Sequence, residues 1–297
     1  MEKKEIETLQ EAGKIASEIV KYAKSIIKKD MLLLDIANKI DEKIISLKAK
    51  PAFPVNLSIN EIAAHSTPSY NDETLAQGLL KVDIGIHIEG FVADTALSID
   101  LENSEENKNL IKAAETARDF ALSKINLNTK IREIGAEIEK VCKSFNVQPI
   151  HNLSGHSIEV YNLHAGITIP NFDNNQESTI KPGIYAIEPF TTLSSGSGSV
   201  RDGKLSGIYH LEKVGTVRDN FAREVLGYIA DEYSTLPFCS RWIHKKFGTR
   251  GLLALRQIEQ AGLLHHYPQL IEKSNSKVAQ AEHTFILTLK EKIITTL

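Results

Sequence analysis

The chain has 297 residues, 42% of them apolar and 25% charged, an ordinary globular balance with length for one large domain or two. Its formal net charge of −3 gives no electrostatic case for nucleic acid, and no apolar run approaches the length of a membrane span. Cys142 and Cys239 lie far apart and form no CxxC pair, which argues against a disulfide framework and fits a reducing interior.

The N-terminus, MEKKEIETLQEAGKIASEIV, is charged and lacks the apolar core of a signal peptide, so a cytoplasmic location is expected. Residues 4–28 suit an amphipathic helix, because Ile6, Leu9, Ala16, Ile19, Val20, Ala23 and Ile27 recur at helical spacing. A second helix is predicted from Leu33 to Leu47, and Pro51 stops its continuation. Strands are expected around 53–60 and 79–99, then helices over 105–125 and 130–145. The second helix pair resembles the first. Leu33, Ile36, Ala37, Ile40 and Ile44 have counterparts in Ile131, Ile134, Gly135, Ile138 and Val141, mostly 98 positions on. NLSIN (56–60) and NLSGH (152–156) follow the respective pairs. The pattern fits two related αα-then-β halves, or simply the likeness of amphipathic helices to one another.

The stretch VDIGIHIEGFVAD (82–94) alternates. Val82, Ile84, Ile86 and Ile88 point one way, and Asp83, Gly85 and His87 the other. A two-residue turn at Glu89-Gly90 pairs Ile88 with Phe91, sets Asp94 opposite Gly85, and sets Asp83 opposite Ala96. Both aspartates then share one face as diagonal neighbours, about 7–8 Å apart at the backbone. They can share a cation there; without one, each raises the other's pKa. On an arbitrary protein the same pair would read as two solvent-facing acids on a half-exposed strand.

TTLSSGSGSVRDGKLSG (191–207) reads as a loop, rich in Gly and Ser. Residues 208–272 then read as short helices, in NFAREVLGYIADEY, SRWIHKKF and RGLLALRQIEQAGLL, and are expected to form a small helical insertion with a structural role. Strand signal returns at KVAQAEHTFILTL (277–289).

Metal-capable residues recur beside strand signals. HNLSGHSIEVYNLHAG carries His151, His156 and His164, PGIYAIEPF carries Glu188, and VAQAEHTFIL carries Glu282. A lone His is commonly structural and a strand-end Glu commonly solvated. Glu188 and Glu282, however, sit inside apolar runs, where an uncompensated carboxylate is costly. With Asp83 and Asp94 they supply four negative charges, which two divalent cations would balance. One His among carboxylates suits Mn, Fe, Co or Zn better than an all-oxygen Ca or Mg site.

Taken together, these motifs resemble the methionine aminopeptidases, specifically the type II branch of archaea and eukaryotes. The resemblance spans nearly the whole chain, through AFPVNLSINEIAAH (52–65), VDIGIHIEGFVAD, NLSGHSIEVYNLHAG (152–166), YAIEPF (185–190), YPQLIE (267–272) and VAQAEHTFIL (278–287). It implies an α+β pita-bread fold, a metallopeptidase domain made of residues 1–207 and 273–297, with two pseudo-symmetric αβ halves around a dinuclear metal site. The segment 208–272 would be the helical insertion subdomain typical of type II. By the same resemblance Asp83 would bind one metal, Asp94 and Glu282 would bridge both, and His156 and Glu188 would complete the second. His65 and His164 fall at the family's non-ligand active-site histidines, and Phe53, Leu163, Phe190 and Tyr267 at the walls of its methionine pocket. A further pocket histidine of some members is Ile208 here, with His210 two positions on. The activity implied is removal of the initiator methionine before a small second residue. A metal-bridging hydroxide would attack, Glu188 would shuttle the proton, and His164 would stabilise the oxyanion. The implied partners are the N-termini of nascent chains, with the ribosome as a candidate partner. Neither membrane nor specific nucleic acid is expected, and the chain is expected to be a monomer. The competing readings are a prolidase or aminopeptidase P on the same fold, and a non-enzymatic binding protein that has kept the fold.

Overall fold

The computed structural model describes residues 1–297. A helical hairpin laid on a sheet opens the chain. α1 (Lys3–Ile26) buries Leu9, Ala12, Ala16, Ile19 and Ala23, a narrow stripe whose small residues let it lie close on its neighbours. A Cβ at Gly13 would stand 2.1 Å from the Thr295 carbonyl oxygen, so glycine there lets the C-terminal segment dock on the helix. α2 (Leu33–Ser46) turns Ile36, Ala37, Ile40 and Ile44 inward.

The strands β1 (Lys50–Pro51), β2 (Asn56–Ile59), β3 (Ile62–Ala64), β4 (Leu79–Ile88) and β5 (Phe91–Asp100) follow. β4 pairs antiparallel with β1 and β2 on one side and with β5 on the other. The hairpin register is the predicted one: Ile88↔Phe91, Gly85↔Asp94 and Asp83↔Ala96. Glu89 and Gly90 both have positive φ, 51° and 86°, as a two-residue type I′ turn requires. Leu80, Val82, Ile84 and Ile86 join α1 and α2 in one aliphatic core. The opposite face, with Asp83, Gly85 and His87, is not a solvent face, because other strands cover it.

The second half repeats the plan with α3 (Glu105–Lys124), α4 (Ile131–Ser144), β6 (Val147–Pro149), β7 (Ser154–Ile158), β8 (Thr168–Pro170), β9 (Gly183–Ile187) and β10 (Phe190–Leu193). α2 and α4 are both 14 residues long and begin 98 positions apart. The match extends to the backbone around them. Asp30 and Asn128 precede the helices and Lys48 and Asn146 follow them, all left-handed, with φ of 65°, 67°, 62° and 54°. Leu32 and Lys130 each form an isolated bridge, to Leu75 and Thr179. A shared amphipathic pattern does not dictate shared caps, so the halves are pseudo-symmetric. Each has its own aliphatic core.

Segment 191–207, read as a loop, is strand over most of its length. β10 ends at Leu193, and β11 (Val200–Leu211) starts after a turn through Gly196 and Gly198. β11 escapes the alternation test because its burial follows no period of two and because its pairing shifts register between Asp202 and Leu205 and again before Tyr209. It carries the chain out to α5 (Asn220–Tyr233), β12 (Phe238–Cys239) and α6 (Ser240–Gln260), and β13 (Leu264–Glu272) returns beside it. Gly248, at φ 64° and ψ −161°, breaks α6, so the two short helices read from the sequence are one span with a kink. Val225, Ile229, Phe238, Ile243, Leu255 and Ile258 give these elements their own core. Asp41 of α2 ties them to the first half: one of its oxygens accepts from Arg241 Nη1 at 2.6 Å and Trp242 Nε1 at 2.7 Å. β14 (Val278–Gln280), β15 (His283–Leu287) and β16 (Lys292–Ile294) complete the chain.

The Ser-Gly turn before β11 is organised by the fully buried Glu272, which accepts backbone N–H bonds from Ser197, Ser274 and Ser276 and the Ser274 hydroxyl. Burial alone would raise its pKa, but these donors hold it below the usual glutamate range. A depressed folded pKa contributes stability above the unfolded value and loses it as the pH falls through the folded one. Glu272→Gln should cost about 1–3 kcal/mol at neutral pH, because an amide N–H replaces an acceptor. The gap to the parent should narrow as the pH falls from the unfolded pKa and close below the folded one, where the acid itself carries a proton in the native state; thermal melts across that range read it.

Candidate metal centre and active-site cleft

Asp83 and Asp94 reach the centre from β4 and β5, and the C-terminal strands bring the glutamates to them. Thr284 locks the contact: its hydroxyl accepts the Asp94 N–H at 2.9 Å and donates to the Asp94 carbonyl at 2.8 Å. The Thr95 hydroxyl donates to the Glu282 carbonyl at 3.0 Å, and the Glu282 N–H donates to the Ala96 carbonyl at 3.0 Å. Glu282 lies in the two-residue break between β14 and β15, and Glu188 in the matching break between β9 and β10. β9 pairs with β15 and β10 with β14, so the two strands leave one sheet and enter the next together. The carboxylates sit at that crossing, which explains why each glutamate interrupts an apolar run. His156 joins them from β7, opposite Ala186 of β9.

The five side chains face one another. His156 Nε2 lies 3.5 Å from a Glu188 oxygen and 3.8 Å from an Asp94 oxygen. Asp94, His156 and Glu282 each offer a ligand atom within 4.8 Å of the others. Two atoms each about 2.1 Å from one cation stand roughly 3.0–3.4 Å apart, so these spacings suit a shared ion better than a hydrogen bond. Asp83 Oδ1, Asp94 Oδ1 and both Glu282 oxygens are buried without a hydrogen-bond partner. Burial pushes the Asp83 carboxyl up to about 7. Burial and one another's charge hold Asp94, Glu188 and Glu282 well above the carboxylate range. Burial, with His164 beside it, takes the His156 imidazole down to about 3, the neutral form that binds metal. No lysine or arginine pairs with these carboxylates, and the neighbouring Lys81 turns its Nζ to the Asn60 carbonyl at 2.6 Å. Four carboxylates and one imidazole in this arrangement fit divalent metal.

A cavity of about 310 Å³ opens above the carboxylates. All the site residues named from the sequence line it: the five above, His65 and His164, and Phe53, Leu163, Phe190 and Tyr267. Gly85, opposite Asp94, makes room for the wall: a Cβ there would stand 2.1 Å from the Phe53 ring. His65 Nδ1 lies 3.3 Å from the Pro268 carbonyl. A carbonyl can only accept, so Nδ1 carries the proton and Nε2 is free to accept. Burial, and then His164, lowers the His65 pKa to about 4. His164 stands at the open rim with its ring edge-on to His156, centroids 4.4 Å apart. His151 lies apart, bonded to the Gly198 carbonyl at 2.9 Å.

Sequence reasoning missed Gln280 and Thr284. The Gln280 amide lies 3.4 Å from both Asp83 and Glu188 and spaces them. Its one signal was a buried polar residue in an apolar strand. Ile208 lines the cavity where some members of the resembled family carry histidine.

Residues 7–220 match metallopeptidase family M24. The chain is 44% identical to the methionine aminopeptidase of Pyrococcus abyssi, over 98% of this chain and 99% of that one. It is 42% identical to that of Methanocaldococcus jannaschii over the full length of both. Among solved structures, a methionine aminopeptidase from Rickettsia prowazekii superposes with a TM-score of 0.72 at 19% identity, over 100% of this chain and 98% of that one. A thermophilic Arx1 superposes at 0.86 with 14% identity, over 99% and 91%; at these identities both speak for the pita-bread fold alone. A buried carboxylate-imidazole centre, the M24 match and near-full-length identity with archaeal enzymes agree: the chain belongs to the methionine aminopeptidases of metallopeptidase family M24.

Proposed function

We propose that the chain releases methionine from the N-terminus of polypeptides whose second residue is small, using two divalent cations drawn from Co, Mn, Fe or Zn. Asp83 would hold one metal, Asp94 and Glu282 would bridge both, and His156 and Glu188 would complete the second. When bound, the cations would supply Lewis acidity, lowering the pKa of the attacking water and polarising the scissile carbonyl. The convergence of four buried carboxylates and one neutral imidazole beneath an apolar-walled cavity carries this reading.

The chain's own groups supply the rest. Glu188 takes the proton of the nucleophile and returns it to the leaving amine. His164, neutral and unpaired at the rim, donates to the oxygen where negative charge develops. The His65 Nε2 lone pair accepts from the scissile amide N–H, a role that its Nδ1–H contact with the Pro268 carbonyl supports. Phe53, Leu163, Phe190 and Tyr267 hold the flexible thioether. The free α-amine lies at the Asp83 side, so a blocked N-terminus does not fit. Segment 208–272 acts as the insertion subdomain that supplies Ile208 and Tyr267 to the cavity. The working form in this reading is a cytoplasmic monomer acting on nascent chains.

Purified protein given Mn, Co or Fe should release methionine from Met-Ala-Ser and much less from Met-Leu-Ser. X-Pro dipeptides should stay intact. Failure with every divalent metal, or preference for X-Pro, overturns the reading.

A further inference from the structure

His210 and His265 stand directly opposite each other on β11 and β13. Their ring centroids are 5.1 Å apart, tilted by 38°. Tyr267 packs against both, at 5.3 Å and 4.6 Å, and its ring also meets that of His65 at 5.1 Å. The pair therefore sits on the ribbon behind the Tyr267 wall of the cleft, outside the five-residue centre.

Not every histidine ring in this chain is held by a hydrogen bond. His65, His87, His151, His266 and His283 each engage a ring nitrogen in a hydrogen bond. His210 and His265 engage none, and His210 Nδ1 is buried with no partner. An imidazole nitrogen taken out of water without a partner, as at His210 Nδ1, is unfavourable, and the exposed His265 ring beside it leaves its own nitrogens open to a ligand. Burial and the neighbouring His265 lower the His210 pKa, which favours the neutral, ligating form.

We propose that His210 and His265 form a second metal site, separate from the catalytic centre, that takes one borderline transition-metal ion such as Zn²⁺, Ni²⁺ or Cu²⁺. Directly opposed cross-strand residues have Cβ atoms about 4.5–5.5 Å apart, within reach of one ion held by two imidazoles after modest ring rotation. Imidazole ligands select these metals over Mg²⁺ or Ca²⁺. Water fills the remaining positions, so the site binds more weakly than the carboxylate centre and fills only when metal is in excess. An ion there would stand against the Tyr267 ring, press on that wall of the cleft and weaken peptide binding. That consequence, unlike the binding itself, rests on the aminopeptidase reading.

Calorimetric titration of metal-free protein with Zn²⁺ tests the binding directly. The parent should take up one weaker equivalent beyond those of the catalytic centre. His210→Ala and His265→Ala should each lose that equivalent and keep the tighter ones. His265 is exposed, so its variant is not expected to disturb folding. In the peptide assay, excess Zn²⁺ should inhibit the parent and spare both variants. Identical stoichiometry in the parent and the His265→Ala protein overturns the site, whether or not any peptide is cleaved.

Discussion

Alanine at Glu282 or at Asp94 will abolish methionine release, lowering turnover by at least about 10³-fold at saturating Mn, Co or Fe. In the proposed assignment each side chain bridges both metals, so its loss would remove a ligand from the two together. The same variants separate binding from chemistry. Ligand that binds only the folded state raises stability by about 2.7 kcal/mol at a hundredfold excess over its Kd. Added metal should therefore raise the melting temperature of the parent and leave the Glu282→Ala protein unmoved. Without metal the order should reverse. Glu282 is buried against Asp94, Glu188 and Asp83, and their mutual charge opposes ionisation. Glu282→Gln removes one of the four repelling groups and should melt higher than the parent in chelator at neutral pH. Full activity in either alanine variant, or metal-dependent stabilisation that survives it, would overturn the ligand assignment.

Arg241→Ala will be the most destabilising substitution outside the core, by about 3–5 kcal/mol in urea unfolding. Arg241 and Asp41 are 4% and 6% exposed, too buried for water to replace the lost partner. The alanine leaves the Asp41 carboxylate with only the Trp242 N–H. The pair is itself incompletely satisfied, since Asp41 Oδ1 and Arg241 Nη2 lack partners. Replacing both residues by apolar ones of similar volume should therefore restore most of the loss, because desolvating two ions nearly cancels their attraction. A double variant as unstable as Arg241→Ala would mean that the helices, rather than the ion pair, join the two parts of the molecule.

The elements that were legible in the sequence are those whose pattern is enforced by burial on one side. β4 and β5 alternate cleanly because one face meets α1 and α2, and the Glu89-Gly90 turn left a single register to choose. α2 and α4 were placed to within a residue or so for the same reason. β11 was illegible because its burial does not alternate and its pairing slips twice; its glycines and serines signalled a loop. In the cleft, charged residues inside apolar runs pointed to themselves. The groups that hold them did not: Thr284 looks like any strand threonine until its partner, 190 residues earlier, is known. The His210–His265 pairing is hidden likewise, since it depends on a register with two bulges.

That separation in sequence bears on the order of folding. The β4–β5 hairpin closes over two residues, so Asp83 and Asp94 can be in position as soon as their half is made. The bonds that bring Glu282 to them span 187 and 190 residues and must wait for β15. Closing so long a loop is slow and entropically unfavourable until many contacts form together. Metal-binding competence is therefore a late event, granted by the last strands of the chain. A chain stalled before its C-terminus docks would hold two aspartates and no centre, so an incomplete copy would be unable to cleave.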